Sequence, residues 1–186
     1  MSGYTQRTTS SPRTFSSVRE YPTFPRKVLH LWRAAWTAPV ETLAESFPHV
    51  CSITSVSSRL GEFHTVVMFG NNFGLFGNVR RARWLLKRLH GMTSQTARIL
   101  AESRDPYQTT SVDHRGYQQL NRRRGRLPGQ LRIRVRFGHA RTPWFDYLIA
   151  SPREMRDIVA GTGWAVARVI RTTGPDYVAV LEKTAA

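Results

Sequence analysis

The chain has 186 residues, 40% of them hydrophobic, enough for one packed domain. It contains no run of about 18 apolar residues, which excludes a membrane-spanning helix. A single cysteine, Cys51, excludes an internal disulfide and leaves a reduced, cytoplasmic setting as the simplest reading. The net charge of +16 comes from 28 Lys+Arg against 12 Asp+Glu. That balance attracts phosphate and makes nucleic acid the first partner to weigh. The alternative is an arginine-rich composition of solvated side chains, since the charge is spread over several segments.

Residues 1–27 are rich in Ser, Thr, Arg and Pro, with Glu20 as their one acid. Nothing in them repeats at a helix or strand period, so they read as a disordered basic tail. Their composition is also that of an organelle transit peptide, whereas a secretory signal would need an apolar core after the charges. Residues 28–50 carry Val28, Leu29, Leu31, Trp32, Ala35 and Trp36, then Val40, Leu43, Ala44 and Phe47. This spacing suits a helical or irregular segment of one or two short amphipathic helices broken near Pro39.

From Cys51 the pattern changes. Cys51–Val56 is short and β-branched and reads as a strand. The apolar run Val66-Val67-Met68-Phe69, closed by Gly70, suits a strand buried on both faces. Asn71–Asn78 is a loop with Gly74 and Gly77. Residues 79–92 put Val79, Ala82, Leu85, Leu86 and Leu89 on one side and Arg and Lys on the other, with Gly91 as a stop, so a helix is expected. Ala97–Ala101 is a second apolar strand. Strand, loop, helix and strand at this length make a βαβ unit with parallel strands, and the fold class is α/β.

Residues 104–130 are polar and Arg-rich, with Arg122, Arg123, Arg124 and Arg126 nearly contiguous. Leu131–Phe137 alternates apolar residues with arginine, the pattern of a strand with one face on a core and one in water. Gly138–Arg141 is a turn and Pro143–Ile149 the returning partner, a β-hairpin insertion. Ser151-Pro152-Arg153-Glu154 is a helix start with an N-cap, a first-turn proline and a capping glutamate. That helix runs to about Ala160, before Gly161 and Gly163. Ala165–Ile170 and Tyr177–Leu181 are strands of an antiparallel hairpin turned at Thr173-Gly174-Pro175.

This order of parts resembles the carboxyl-terminal half of the class I S-adenosylmethionine-dependent methyltransferases, over about residues 51–186. FHTVVMFGNN resembles that family's fourth strand and the loop after it, and ARILAESRDPY its fifth strand. SPREMRDIVAGTGW, followed by AVARVI and YVAVLEK, resembles its last helix and last two strands. The resemblance implies a partial Rossmann-like sheet with an antiparallel last strand. It implies S-adenosylmethionine as cofactor and methyl transfer to an unidentified small-molecule acceptor. The departures are specific. The family grips its cofactor with a Gly-rich turn after the first strand and an acid ending the second. Residues 1–60 hold Gly3 and no other glycine. The order of parts thus implies a partial domain lacking the first two strands and their helices. His64 stands where many family members have Asp.

By resemblance, Phe69, Gly70, Asn71 and Asn72 form the cofactor loop, Gly70 and Asn71 facing the methionine part. Asn offers both donor and acceptor to its amino and carboxylate groups. The other reading is a helix-entry loop that needs Gly and Asn for its turn. Glu102, Arg104, Tyr107 and Trp144 are the candidate substrate-binding residues. Glu102 would orient a substrate amine or serve in a salt bridge. Phe73, Leu75 and Phe76 read as packing. No catalytic residue stands out, because the sulfonium is already activated and alignment of the nucleophile does most of the chemistry. The scattered histidines, His114 among them, show no metal spacing. The basic stripe of Arg122–Arg126 with Arg132, Arg134 and Arg136 would bind an anionic substrate or RNA phosphates, with Tyr117, Trp144 and Tyr147 stacking on bases. Its alternative is a solvated strand face.

Overall fold

The computed structural model describes residues 28–30 and 51–184. Its centre is a five-stranded sheet of order β1-β2-β3-β9-β8. The strands are β1 Val28–His30, β2 Phe63–Met68, β3 Thr93–Arg104, β8 Trp164–Arg171 and β9 Asp176–Lys183. β1, β2 and β3 are parallel, and β9 runs antiparallel to both neighbours. Ala101 pairs with Ala179 and Ile99 with Leu181, so the final strand runs antiparallel against Ala97–Ala101. β8 therefore runs parallel to β3, with β9 inserted between them.

One face of this sheet carries the core. Helix α1 (Val79–Gly91) starts where the Asn78 side chain accepts the Arg81 amide at 2.9 Å, satisfying one of the unpaired donors of the first turn. It buries Ala82, Leu85, Leu86 and Leu89, a stripe at helical spacing. Helix α3 (Pro152–Val159) begins with the expected capping box of Ser151 and Glu154. The two helices touch through Arg83, whose Nη2 donates to the Asp157 carbonyl at 2.9 Å. Both cover Val66 and Met68 of β2, Ala97, Ile99 and Ala101 of β3, and Tyr177, Ala179 and Leu181 of β9. Trp164, at the start of β8, closes this core and donates its indole N–H to the Leu86 carbonyl at 2.9 Å. Val67 and Val180 are also buried but stand outside that cluster, as the alternation along a strand requires.

Between β3 and α3 the chain adds helix α2 (Val112–Arg123) and two small sheets. β4 (Gln130–Ile133) pairs antiparallel with β7 (Phe145–Leu148), and β5 (Arg136–Phe137) with β6 (Ala140–Arg141).

Four local expectations need correction. Val28–His30 joins the sheet instead of opening a helix. An edge strand such as β2 offers a row of unpaired backbone groups, and three aliphatic-flanked residues are enough to use them. The remainder of residues 28–50 and the tail lie outside the described residues. Cys51–Val56 contains a 3₁₀ turn, Ile53–Ser55, capped by the Ser52 side chain. Serine side chains offer the backbone an alternative to a ladder, and here that alternative wins. Residues 104–130 contain α2, a helix that no apolar stripe announced. Its buried side chains are Gln118 and Asn121. Gln118 Nε2 donates to the Pro106 carbonyl at 2.7 Å, and Asn121 Nδ2 to the carbonyls of Pro128 at 3.1 Å and Gln130 at 2.8 Å. Finally, Leu131–Phe137 is two short strands, and its apolar residues are half-buried only as far as Ile133, outside the main core. Val135 is 42% exposed and Phe137 80%.

Candidate functional site

The carboxyl ends of β2 and β3 lie side by side, the edge at which open α/β sheets bind ligands. There β2 runs into the loop Phe69–Asn72. Gly70 has φ +67° and Asn71 φ +58°. Gly pays little for that region and Asn tolerates it better than most residues, so the pair reverses the chain tightly. Two long-range hydrogen bonds hold the reversal. The Gly70 amide donates to Glu102 Oε2 at 2.8 Å. The Tyr147 hydroxyl, from β7, donates to the Asn71 carbonyl. The 3₁₀ turn that follows, Asn72–Phe76, buries Phe73 and Phe76 edge to face, with centroids 5.0 Å apart. Gly74 in this turn lies against the Tyr147 ring, where an added Cβ would fall 2.3 Å from ring carbons.

These contacts leave one buried polar atom over. Asn71 Oδ1 accepts no hydrogen bond among the described residues. A buried acceptor without a donor is costly, of order 1–3 kcal/mol, so the position calls for a donor beyond the described residues.

Of the residues the sequence singled out, the structure brings Glu102 to the Phe69–Asn72 loop, as an anchor of its backbone. Phe69 turns outward and is exposed. Arg104, also at the end of β3, forms an ion pair with Asp176 at 3.0 Å. Tyr107 donates to Glu154 Oε1 at 2.8 Å, with the Arg122 guanidinium over its ring at 5.6 Å. Burial, then the bond to Glu154, raises the Tyr107 pKa. Its contacts tie the chain after β3 to the start of α3. Trp144 is 54% exposed and carries the Arg134 guanidinium over its ring at 4.9 Å. His114 Nδ1 lies 2.9 Å from the Thr109 hydroxyl. Tyr147, read as a base-stacking residue, is instead the second anchor of the loop, its ring against Gly74 and its hydroxyl engaged. The only sequence signal for this was a tyrosine at a half-buried strand position, which is too common to point anywhere.

Burial, followed by the nearby charge of Glu102, pushes the Tyr147 phenol up to about 12, from an ordinary value of about 10. The fold holds the neutral phenol. Its contribution is therefore complete below pH about 10 and is lost as the pH rises through about 12, at most roughly 3 kcal/mol. The urea midpoint should fall across this window in the native chain and fall less in Tyr147→Phe. An equal fall in both would assign the loss to other groups, such as Tyr177, which burial also raises.

The described residues fit one end of S-adenosylmethionine. The unpartnered Asn71 oxygen suits its amino group. They do not fit the ribose and adenine end. No glycine occurs between His30 and Leu60, where a turn after β1 would need it. No described strand on that side of β2 ends in an acid.

No protein-family model and no curated protein matches the chain. Solved structures do. A methyltransferase from Bacteroides fragilis, in complex with S-adenosyl-L-homocysteine, superposes with a TM-score of 0.53 at 20% identity, over 67% of this chain and 49% of that one. The CcbJ methyltransferase from Streptomyces caelestis gives 0.49 at 10% identity, over 73% of this chain and 63% of that one. An S-adenosylmethionine-dependent methyltransferase from Clostridium acetobutylicum gives 0.49 at 6% identity, over 74% and 64%. The chain thus spans about half to under two thirds of these structures' lengths. The likeness is one of fold. The mixed sheet with its reversed last strand is part of a methyltransferase-type, Rossmann-like fold. No helix among the described residues is long and apolar enough to cross a membrane.

Proposed function

We propose that the chain belongs to S-adenosylmethionine-dependent methyl transfer to a small-molecule nucleophile, and that it supplies only the methionine end of the cofactor site. The bound cofactor would supply an activated methyl group, leaving the protein to orient the acceptor. Asn71 would accept a hydrogen bond from the cofactor's amino group. Glu102 and Tyr147 would hold the loop in shape without touching the methyl group. The unpartnered, buried Asn71 oxygen at a parallel-strand carboxyl edge carries this reading. With no residues for the ribose among those described, affinity should be low, because the lost contacts include hydrogen bonds to hydroxyls that a dinucleotide-type site normally supplies.

Titration with S-adenosylhomocysteine, followed by ¹H–¹⁵N chemical shifts, tests it. The expected result is millimolar binding with shifts confined to Gly70, Asn71, Asn72 and Glu102, reduced by Asn71→Ala. No shift at the loop at millimolar ligand sinks the reading. Saturation at micromolar ligand would show a complete site and overturn its second half.

A further inference from the structure

We infer that the insertion between β3 and α3 is a binding surface for single-stranded nucleic acid. This inference does not rest on methyl transfer and survives if the chain binds no cofactor.

Charge is the first observation. Between His114 and Phe145 the sequence holds nine arginines and no Asp or Glu. These residues make up most of α2 and all of β4, β5 and β6, outside the five-stranded sheet. Arginine dominates over lysine here. Its planar fork meets phosphate with paired hydrogen bonds and stacks on flat rings, which an ammonium does poorly.

The second observation concerns apolar surface. A strand alternating apolar and charged residues normally turns its apolar face to a core. In Leu131–Phe137 that face runs out into solvent. Val135, Phe137 and Trp144 are exposed, as is Tyr117 on α2. The rings are interleaved with guanidiniums, Arg134 already lying over Trp144. The solvated-strand reading accounts for the arginines and leaves these rings unexplained.

The third observation is local repulsion. Arg136 and Arg141 are direct cross-strand partners. Like charges in that relation are destabilising, and among the neighbouring residues Gly138, His139 and Ala140 there is no acid to offset them. An anion seated there would relieve the repulsion.

Together these select the ligand. A second copy of the chain would bring the same positive charge and be repelled. An anionic membrane answers the charge, but Phe137 follows Arg136 and Trp144 lies under Arg134, so their apolar insertion would drag guanidiniums into the bilayer. A single strand of nucleic acid offers both phosphates and unpaired planar bases. Alternate residues along a strand stand about 6.7 Å apart, a repeat of the same order as successive nucleotides. Backbone pairing with arginine and base stacking on aromatic rings is how sequence-tolerant single-strand sites work.

The test is fluorescence anisotropy of the full chain with short labelled oligouridylate and oligothymidylate, over a salt series. Inorganic polyphosphate and phosphatidylserine vesicles provide the comparisons. Expected is micromolar binding of the oligonucleotides at about 50 mM salt, falling steeply toward 200 mM. Preference for one oligonucleotide would identify RNA or DNA as the source. The triple variant Arg132→Ala, Arg134→Ala, Arg136→Ala should flatten the logarithmic salt slope by about 2. Arg80→Ala with Arg168→Ala, outside the insertion, should leave affinity within about twofold, as distant exposed charges are screened. Phe137→Ala with Trp144→Ala should weaken oligonucleotide binding about tenfold or more, as loss of base stacking does, and leave polyphosphate binding unchanged. Apart from the half-buried Arg134 these side chains are exposed, so melting should change little and is the check on folding. The proposal is overturned by absence of binding at low salt. It is overturned equally if the ring variant leaves oligonucleotides unaffected, which would mean general attraction of polyanions. Ring-dependent vesicle binding without ring-dependent oligonucleotide binding would make the surface a membrane one.

Discussion

Replacing Trp164 with alanine should remove about a fifth or more of the chain's stability. The indole is 1% exposed at the start of β8. It fills the angle between β8, β9 and α1, with its N–H on the Leu86 carbonyl and the His90 ring edge-on at 5.8 Å. The Lys183 ammonium lies over its ring at 5.9 Å, while donating to the carbonyls of His90 at 2.8 Å and Thr93 at 2.7 Å. Truncation would open a large cavity in a packed core, at about 3–5 kcal/mol. Native domains have only about 5–15 kcal/mol to lose. The comparison is Trp84→Ala on the outer face of α1, where the ring is 46% exposed beneath Arg88. Such a surface change should stay within about 0.5 kcal/mol. Urea unfolding followed by circular dichroism reads both. With slopes of about 1–3 kcal/mol per molar, the Trp164 midpoint should drop by a molar or more and the Trp84 midpoint hardly at all. Equal midpoints would mean that β8 does not pack on α1, and the sheet order would have to be redrawn.

Trp164 also shows which parts of the molecule its sequence spells out. The βαβ unit of β2, α1 and β3 was legible because its core residues are apolar and fall at helical or strand spacing. The start of α3 was legible because a capping box is a short, local code. The closing hairpin followed from two β-branched runs either side of Thr173-Gly174-Pro175. Helix α2 was not, because it buries amides: Gln118 and Asn121 satisfy loop carbonyls, and amides do not register in a hydrophobic pattern. The short β1 depends on a neighbouring edge 37 residues further along the chain, from Val28 and Thr65 as partners onward. No local pattern encodes that pairing.

The candidate site divides in the same way. Resemblance brought Gly70, Asn71 and Asn72 to the strand edge, and Glu102 beside them followed from the position of β3. That Glu102 would bind a backbone amide, and that Tyr147 would reach the Asn71 carbonyl from a separate small sheet, are tertiary facts. Arg104 and Tyr107 sit close in sequence to Glu102 but take partners on β9 and α3. Alternation along a strand and a turn after it send neighbours in different directions, so adjacency in sequence is a poor guide to membership of one site.

Gly74→Ala should damage the loop more than its one added methyl suggests. The new Cβ would fall 2.3 Å from the Tyr147 ring, well inside carbon contact distance. The backbone of the 3₁₀ turn is fixed on one side by Phe73 and Phe76, both fully buried. The ring would have to move, and its hydroxyl would then leave the Asn71 carbonyl. Overpacking of this kind costs about 1–3 kcal/mol, and the broken hydrogen bond adds about 1. Because both costs run through one ring, they should not be independent. In a Tyr147→Ala background the same substitution should cost little, a coupling of about 1–3 kcal/mol in a double-mutant cycle. Backbone amide exchange at Gly70 and Asn72 should quicken in Gly74→Ala and not in a distant core variant of equal stability, which separates loosening of the loop from general weakening. Additive costs in the cycle would place the clash elsewhere. Tyr147 would then cease to be what ties the β4–β7 hairpin to the edge of the main sheet.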